Sequence, residues 1–182
     1  MKTQNYLIWT TISFLTFILS SCQYSTECLT GYFSRYVRHE IYNVDTVKLC
    51  ISKNEDTLKY SYSSSNEENM DISFSIVDST DSILAIYGHD CPLIAQKTFD
   101  IEGSGFLINK YLYDTDAIDE ETSYYFNKEY GLLISYSLAW HCLDRTLEFD
   151  SMTKKLIDLI ISDTSGFYMS KHIPPPPPPE IG

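Results

Sequence analysis

The chain is predicted to be mainly β, an antiparallel curved sheet or sandwich closed off by one C-terminal helix and preceded by an export leader. Three observations predict this. Tyr, Ile, Thr and Phe are abundant while Ala is scarce, a balance that favours sheet over helix. From Arg35 onward, short stretches alternate apolar and polar residues with a period of two. Polar clusters of turn-forming residues separate these stretches at short intervals. The strands read as few and uneven in length, which favours an open curved sheet or a sandwich over a closed barrel.

Val47, Leu49 and Ile51 alternate with Lys48 and Cys50, and Leu58, Tyr60 and Tyr62 alternate with Lys59, Ser61 and Ser63. Ser52–Asp56 between them reads as a five-residue turn, so the two form a hairpin with one apolar face. Ser63–Asn69 is a solvated loop. It leads into the clearest strand, where Ile72, Phe74 and Ile76 alternate with polar residues. After Asp78–Asp81, Leu84–Tyr87 is apolar on both faces, as expected of a more central strand. Phe106–Tyr113 reads the same way. Ser123–Phe126 and Leu132–Leu138 form a second hairpin, with Gly131 supplying the positive φ that its turn needs. Asp150 or Ser151 caps a helix to about Ile161, whose Met152, Leu156, Leu159 and Ile160 fall on one stripe.

Both ends of the chain read differently. A short start with one charge, Lys2, precedes an apolar run from Leu7 to Leu19, which closes on Leu19-Ser20-Ser21-Cys22. Thirteen residues are too few to span a bilayer, which takes about 20, but they suit the core of a cleaved signal peptide. At the other end, Pro174–Pro179 is a run of six prolines. Such a run favours an extended polyproline II conformation and cannot join a sheet. The expected organisation is therefore a signal peptide at 1–21, a tether at 22–34, a β-rich domain at 35–165 and a proline-rich tail at 166–182.

Leu19-Ser20-Ser21-Cys22 resembles the lipobox of bacterial lipoproteins. The resemblance implies cleavage before Cys22, lipidation of its thiol and anchoring of the mature chain by acyl chains such as palmitate. Gln23, standing where Asp would retain a lipoprotein at the inner membrane, implies the outer membrane of a bacterium.

Without residues 1–21, twelve Lys and Arg face 25 Asp and Glu, a net charge of −13. A surface this acidic repels phosphate backbones and anionic headgroups, which excludes nucleic acid as a partner. The expected partners are the membrane, through the N-terminal lipid, and an envelope protein or glycan. Cys28, Cys50, Cys91 and Cys142 make an even set in an exported chain, and pairing as Cys28–Cys50 and Cys91–Cys142 is the expected arrangement among three.

Candidate chemistry is sparse. His89, Cys91, His141 and Cys142 carry zinc-ligand chemistry, but on an extended strand His141 and Cys142 face opposite ways, and a disulfide would consume the thiolates. Asp114, Asp116, Asp119, Glu120 and Glu121 form an acidic loop with calcium-like density but without the Gly and Glu of an EF-hand. Tyr60 with Tyr62 and Tyr111 with Tyr113 share strand faces, with hydroxyls expected to reach water. The chain has no Gly-x-Ser-x-Gly elbow, no His-Glu-x-x-His, no phosphate loop and no dinucleotide fingerprint. No cofactor is expected. The leading expectation is a non-enzymatic envelope lipoprotein with a binding or structural role. Behind it stand a carrier or chaperone for an apolar ligand and a small hydrolase with a composite site.

Overall fold

A computed structural model describes residues 26–37, 40–64, 71–86, 88–114, 121–137 and 142–168. The signal peptide, Cys22, most of the acidic loop, His141 and the proline run lie outside the described residues. Ten antiparallel strands follow one another: β1 (Thr26–Val37), β2 (Glu40–Asn54), β3 (Thr57–Ser64), β4 (Asp71–Val77), β5 (Ile83–Ile86), β6 (His89–Ile101), β7 (Ser104–Tyr113), β8 (Thr122–Asn127), β9 (Gly131–Ser137) and β10 (Cys142–Glu148). Among the described residues one helix, α1 (Ser151–Ile161), comes last.

The predicted curved antiparallel sheet with one C-terminal helix is present, and it curls further than the sequence pattern implies. Each strand pairs with its sequence neighbours, and β1 pairs with β10 as well as β2, closing a barrel. Closure depends on strands with little alternation to read. β1 occupies most of the stretch expected to be a tether, β6 contains Pro92, and β10 carries mixed charges. A barrel leaves no unpaired sheet edge, which removes the main aggregation liability of an open sheet.

The turns follow from local chemistry. Glu102 and Gly103 both take positive φ in the two-residue β6–β7 turn, the conformation that matches strand twist in a tight hairpin. The β2–β3 turn is two residues long, shorter than the five expected, because Asn54 already pairs with Thr57 and Glu55 accepts positive φ. Gly131 has φ 70° as predicted, and a Cβ there would collide with the Tyr62 hydroxyl.

Two apolar clusters result. One fills the barrel: Phe33, Val47, Leu49, Tyr60, Tyr62, Phe74, Ile76, Leu84, Ile86, Tyr111 and Phe126 are all buried there. A ten-stranded barrel is wider than the eight-stranded kind that aliphatic side chains can fill, so aromatic rings are needed to occupy it. Edge-to-face pairs hold them, Tyr60 with Phe126 at 4.7 Å and Tyr62 with Phe74 at 5.5 Å between ring centres. The second cluster lies where α1 and residues 163–168 cover the outside of the sheet, with Ile108, Tyr125, Leu133 and Ile134 against Leu156, Ile157, Ile160 and Phe167.

Asp150 caps α1, accepting from the Met152 and Thr153 N–H groups at 3.0 and 2.8 Å, while Thr153 Oγ1 accepts from the Asp150 N–H. The buried stripe is Thr153, Leu156, Ile157, Ile160 and Ile161, so Leu159 turns outward, contrary to the expected stripe. Phe167 and Tyr168, which fall in the stretch expected to be tail, are buried on the sheet.

Cys28 and Cys50 form the expected disulfide between directly paired residues of β1 and β2. The pairing of Cys91 with Cys142 is corrected: Cys91 is a free buried thiol on β6. Cys142 begins β10, four strands round the barrel, and its side chain lies outside the described residues. Closing a loop of 22 residues stabilises by about 3 kcal/mol in the chain-entropy model. Cys28→Ser with Cys50→Ser should therefore lower the melting temperature by roughly 10 °C, measured by circular dichroism, with the strand spectrum retained at 20 °C.

Candidate functional site

Antiparallel order sorts the connections into two ends. The start of β1 and the β2–β3, β4–β5, β6–β7 and β8–β9 turns share one end. The other five connections share the opposite end, the mouth.

The turn end is locked. Lys128, in the β8–β9 turn, reaches across to the β4–β5 turn, where its Nζ lies 2.9 Å from Asp78 Oδ1 and 2.8 Å from Asp81 Oδ1 and donates to the Asp78 carbonyl at 2.8 Å. Lys53 adds a 2.6 Å contact to Asp78, and the Asp78 N–H donates to the Asp56 carbonyl at 2.7 Å. Hydrogen bonds from Lys53 and Lys128 hold the Asp78 carboxyl below its ordinary range. Burial alone would lower the Lys128 ammonium, but the carboxylates of Asp81 and Asp78 outweigh it and raise the pKa.

Tyrosines tie this end to the interior. Tyr60 Oη donates to the Lys128 carbonyl at 2.7 Å, and Tyr111 Oη donates to the Asp81 carbonyl at 2.9 Å while accepting from Asn109 Nδ2 at 3.0 Å. Tyr62 Oη accepts the Leu132 N–H at 2.6 Å, across the barrel from β3 to β9. That N–H sits at a β-bulge: Phe126 pairs with Leu132 and Tyr125 with Ile134, leaving one extra residue on β9. The expectation that these hydroxyls reach water is thus overturned for Tyr60, Tyr62 and Tyr111. Burial raises all three phenols, Tyr111 to about 12. They stay neutral donors and acceptors at every physiological pH.

The mouth is different. Arg35, Asp45, His89, Tyr113 and Tyr124 stand on inward-facing positions of five strands, as alternation with buried Phe33, Cys91, Tyr111 and Phe126 places them. The Arg35 guanidinium lies 5.7 Å from the Phe33 ring centre, and the His89 ring meets Tyr113 edge-on at 5.7 Å. Asp45 is buried, accepting from the Thr46 N–H at 2.7 Å and from the Ser64 hydroxyl. The strand ends on this side thus carry a cation, an anion, an imidazole and aromatic faces on inward positions, the kinds of side chain that line binding sites in barrel mouths.

The sequence-predicted site residues disperse. Asp114 is exposed at the end of β7 and Glu121 lies just before β8, while Asp116, Asp119 and Glu120 lie outside the described residues. Burial, followed by the nearby Asp90 charge, pushes the Cys91 thiol up to about 11, opposite to an activated nucleophile. Among the described residues, no three His, Cys, Asp or Glu side chains converge to hold a metal ion. Arg35, Asp45 and Tyr124 escape sequence reasoning because their placement at one end of a single barrel depends on its closure.

No known protein family, curated protein or solved structure matches the chain.

Tyr62→Phe leaves the buried Leu132 N–H without a partner and should cost about 1–3 kcal/mol, read from urea denaturation. Acid should also weaken the turn end, where Asp78 sits, and the outer cover, where Lys97 meets Asp163. Asp78 and Asp163 are both depressed in the folded state, so their stabilisation is present above the unfolded carboxyl value of about 3.9 and lost as pH falls through the folded values. The melting temperature should hold between about pH 5 and 7 and drop below about pH 4. Asp78→Asn should flatten that drop.

Proposed function

We propose that the chain is a lipid-anchored protein of the bacterial cell envelope with a non-enzymatic binding role, carried by the barrel mouth. The observation that supports it best is where the anchor would join the fold. β1 starts at the locked turn end, and Thr26 follows Cys22 by four residues, a reach of at most about 14 Å. A lipid on Cys22 holds the turn end against the bilayer and turns the mouth outward. Glu55, Asp56, Asp78, Asp81, Glu102 and Glu129 outnumber Lys53, Lys128 and Lys155 at the turn end, so headgroups do not hold it by charge. The lipid is then the membrane attachment, and an envelope protein or glycan is the partner of the mouth.

An apolar-ligand carrier is the second reading, favoured by Phe74, Leu93, Tyr113 and Tyr124 beneath the mouth. It is weakened by the lower barrel, where Tyr60, Tyr62 and Tyr111 spend their hydroxyls on cross-barrel bonds. A composite-site hydrolase has less support, because burial deactivates Cys91.

Metabolic labelling with an alkyne palmitate, followed by membrane fractionation, tests the proposal. The wild-type chain should be labelled and sediment with membranes, and Cys22→Ser should be unlabelled and soluble. An unlabelled wild-type chain, or a Cys22→Ser chain still in the membrane fraction, would contradict it.

A further inference from the structure

The outer face of the barrel is unevenly covered. Over β6 to β9 it lies under α1 and residues 163–168, secured by Lys97 on Asp163, by Lys110 Nζ on the Phe167 carbonyl at 3.0 Å and by Tyr125 Oη on the Tyr168 carbonyl. On β1 the cover reaches only Tyr36, and around Tyr32, Tyr42 and Val44 the face is open among the described residues. Tyr32 is 60 % exposed there, Tyr42 75 % and Val44 54 %. Tyr42 stands at a bulge, since Arg35 pairs with Asn43 and Tyr36 with Ile41, which leaves it unpaired across the ladder.

The chain leaves the described structure beside this face. Tyr168 packs on Tyr136 of β9, ring centres 6.3 Å apart, and Tyr36 of β1 belongs to the same cluster. From β9 to β2, by way of β10 and β1, is three strand spacings, about 14 Å. Residues 169–174 reach roughly 20 Å when extended. The other exposed apolar group, Val77, Ile83 and Ile94, lies on β4 to β6, beyond the face that α1 covers.

We propose that the proline run Pro174–Pro179 docks in cis on Tyr32, Tyr42 and Val44. The chemistry matches, because polyproline II helices are bound by exposed aromatic rings and lose little conformational entropy when they bind. The lengths match too. Tyr32 pairs with Thr46, four residues along β2 from Tyr42, a separation of roughly 13 Å. Six prolines extend about 19 Å and span both rings. The contact would carry the chain from the edge of the face that α1 covers, at β9 and β10, onto the bare face of β1 and β2.

Fluorine NMR of the full mature chain labelled with 3-fluorotyrosine tests this, with Tyr32 and Tyr42 assigned through Tyr32→Phe and Tyr42→Phe. Replacing Pro174–Pro179 by glycine should shift both resonances and increase their broadening by a soluble gadolinium chelate, leaving Tyr60 and Tyr111 unmoved. Tyr32→Ser with Tyr42→Ser should speed tryptic cleavage after Lys171 in the otherwise native chain. Resonances that do not respond to the glycine replacement would overturn the proposal. So would a response that grows with protein concentration alongside dimer formation in the ultracentrifuge, which would make the occupant a second copy's tail.

Discussion

The structure depends on polar bonds made across the inside of a barrel. Ten strands enclose more width than aliphatic side chains fill, and the chain answers with tyrosines whose hydroxyls must then be satisfied away from water. Tyr60 and Tyr111 reach the backbone of two turns, and Tyr62 reaches the N–H that the β9 bulge frees. Each bond joins strands or turns far apart in sequence. The ring area supplies the burial, and the hydroxyl geometry selects one register.

Lys128 extends the same logic to the turn end. Its ammonium draws Asp78 and Asp81 over the barrel floor, which places their carbonyls against Lys128 and the Tyr111 hydroxyl. The arrangement divides the molecule. One end is closed by fixed charges, while the other carries the β3–β4 and β7–β8 connections and the inward-facing Arg35, Asp45 and His89. The proposed anchor on Cys22 would enter at the closed end, opposite the end that carries Arg35, Asp45 and His89.

Much of the sheet is legible in the sequence because individual hairpins are local. The β2–β3 alternation, the Gly131 turn and the Asp150 cap each depend on a few neighbouring residues, and each forms where its pattern lies. Closure is not local. β1 begins among residues that read as a tether, and its partner β10 alternates too weakly to mark a strand. The tyrosine pairs were readable as strand faces, but not as cross-barrel donors and acceptors, since their partners lie 30 to 70 residues away. Cys28–Cys50 was readable as one pairing among three, whereas the burial of Cys91 as a free thiol follows from its inward position on β6. The candidate mouth residues carry no motif, because five strands contribute one side chain each.

Native-state hydrogen exchange at the Leu132 amide tests the central claim most directly. If the Tyr62 hydroxyl locks the bulge into the closed barrel, that N–H exchanges only through global unfolding, with the same free energy as the Ile134 amide beside it. Exchange of Leu132 at a markedly lower free energy, while its neighbours stay protected, would show that the bulge opens locally and that the cross-barrel bond does not hold the fold together.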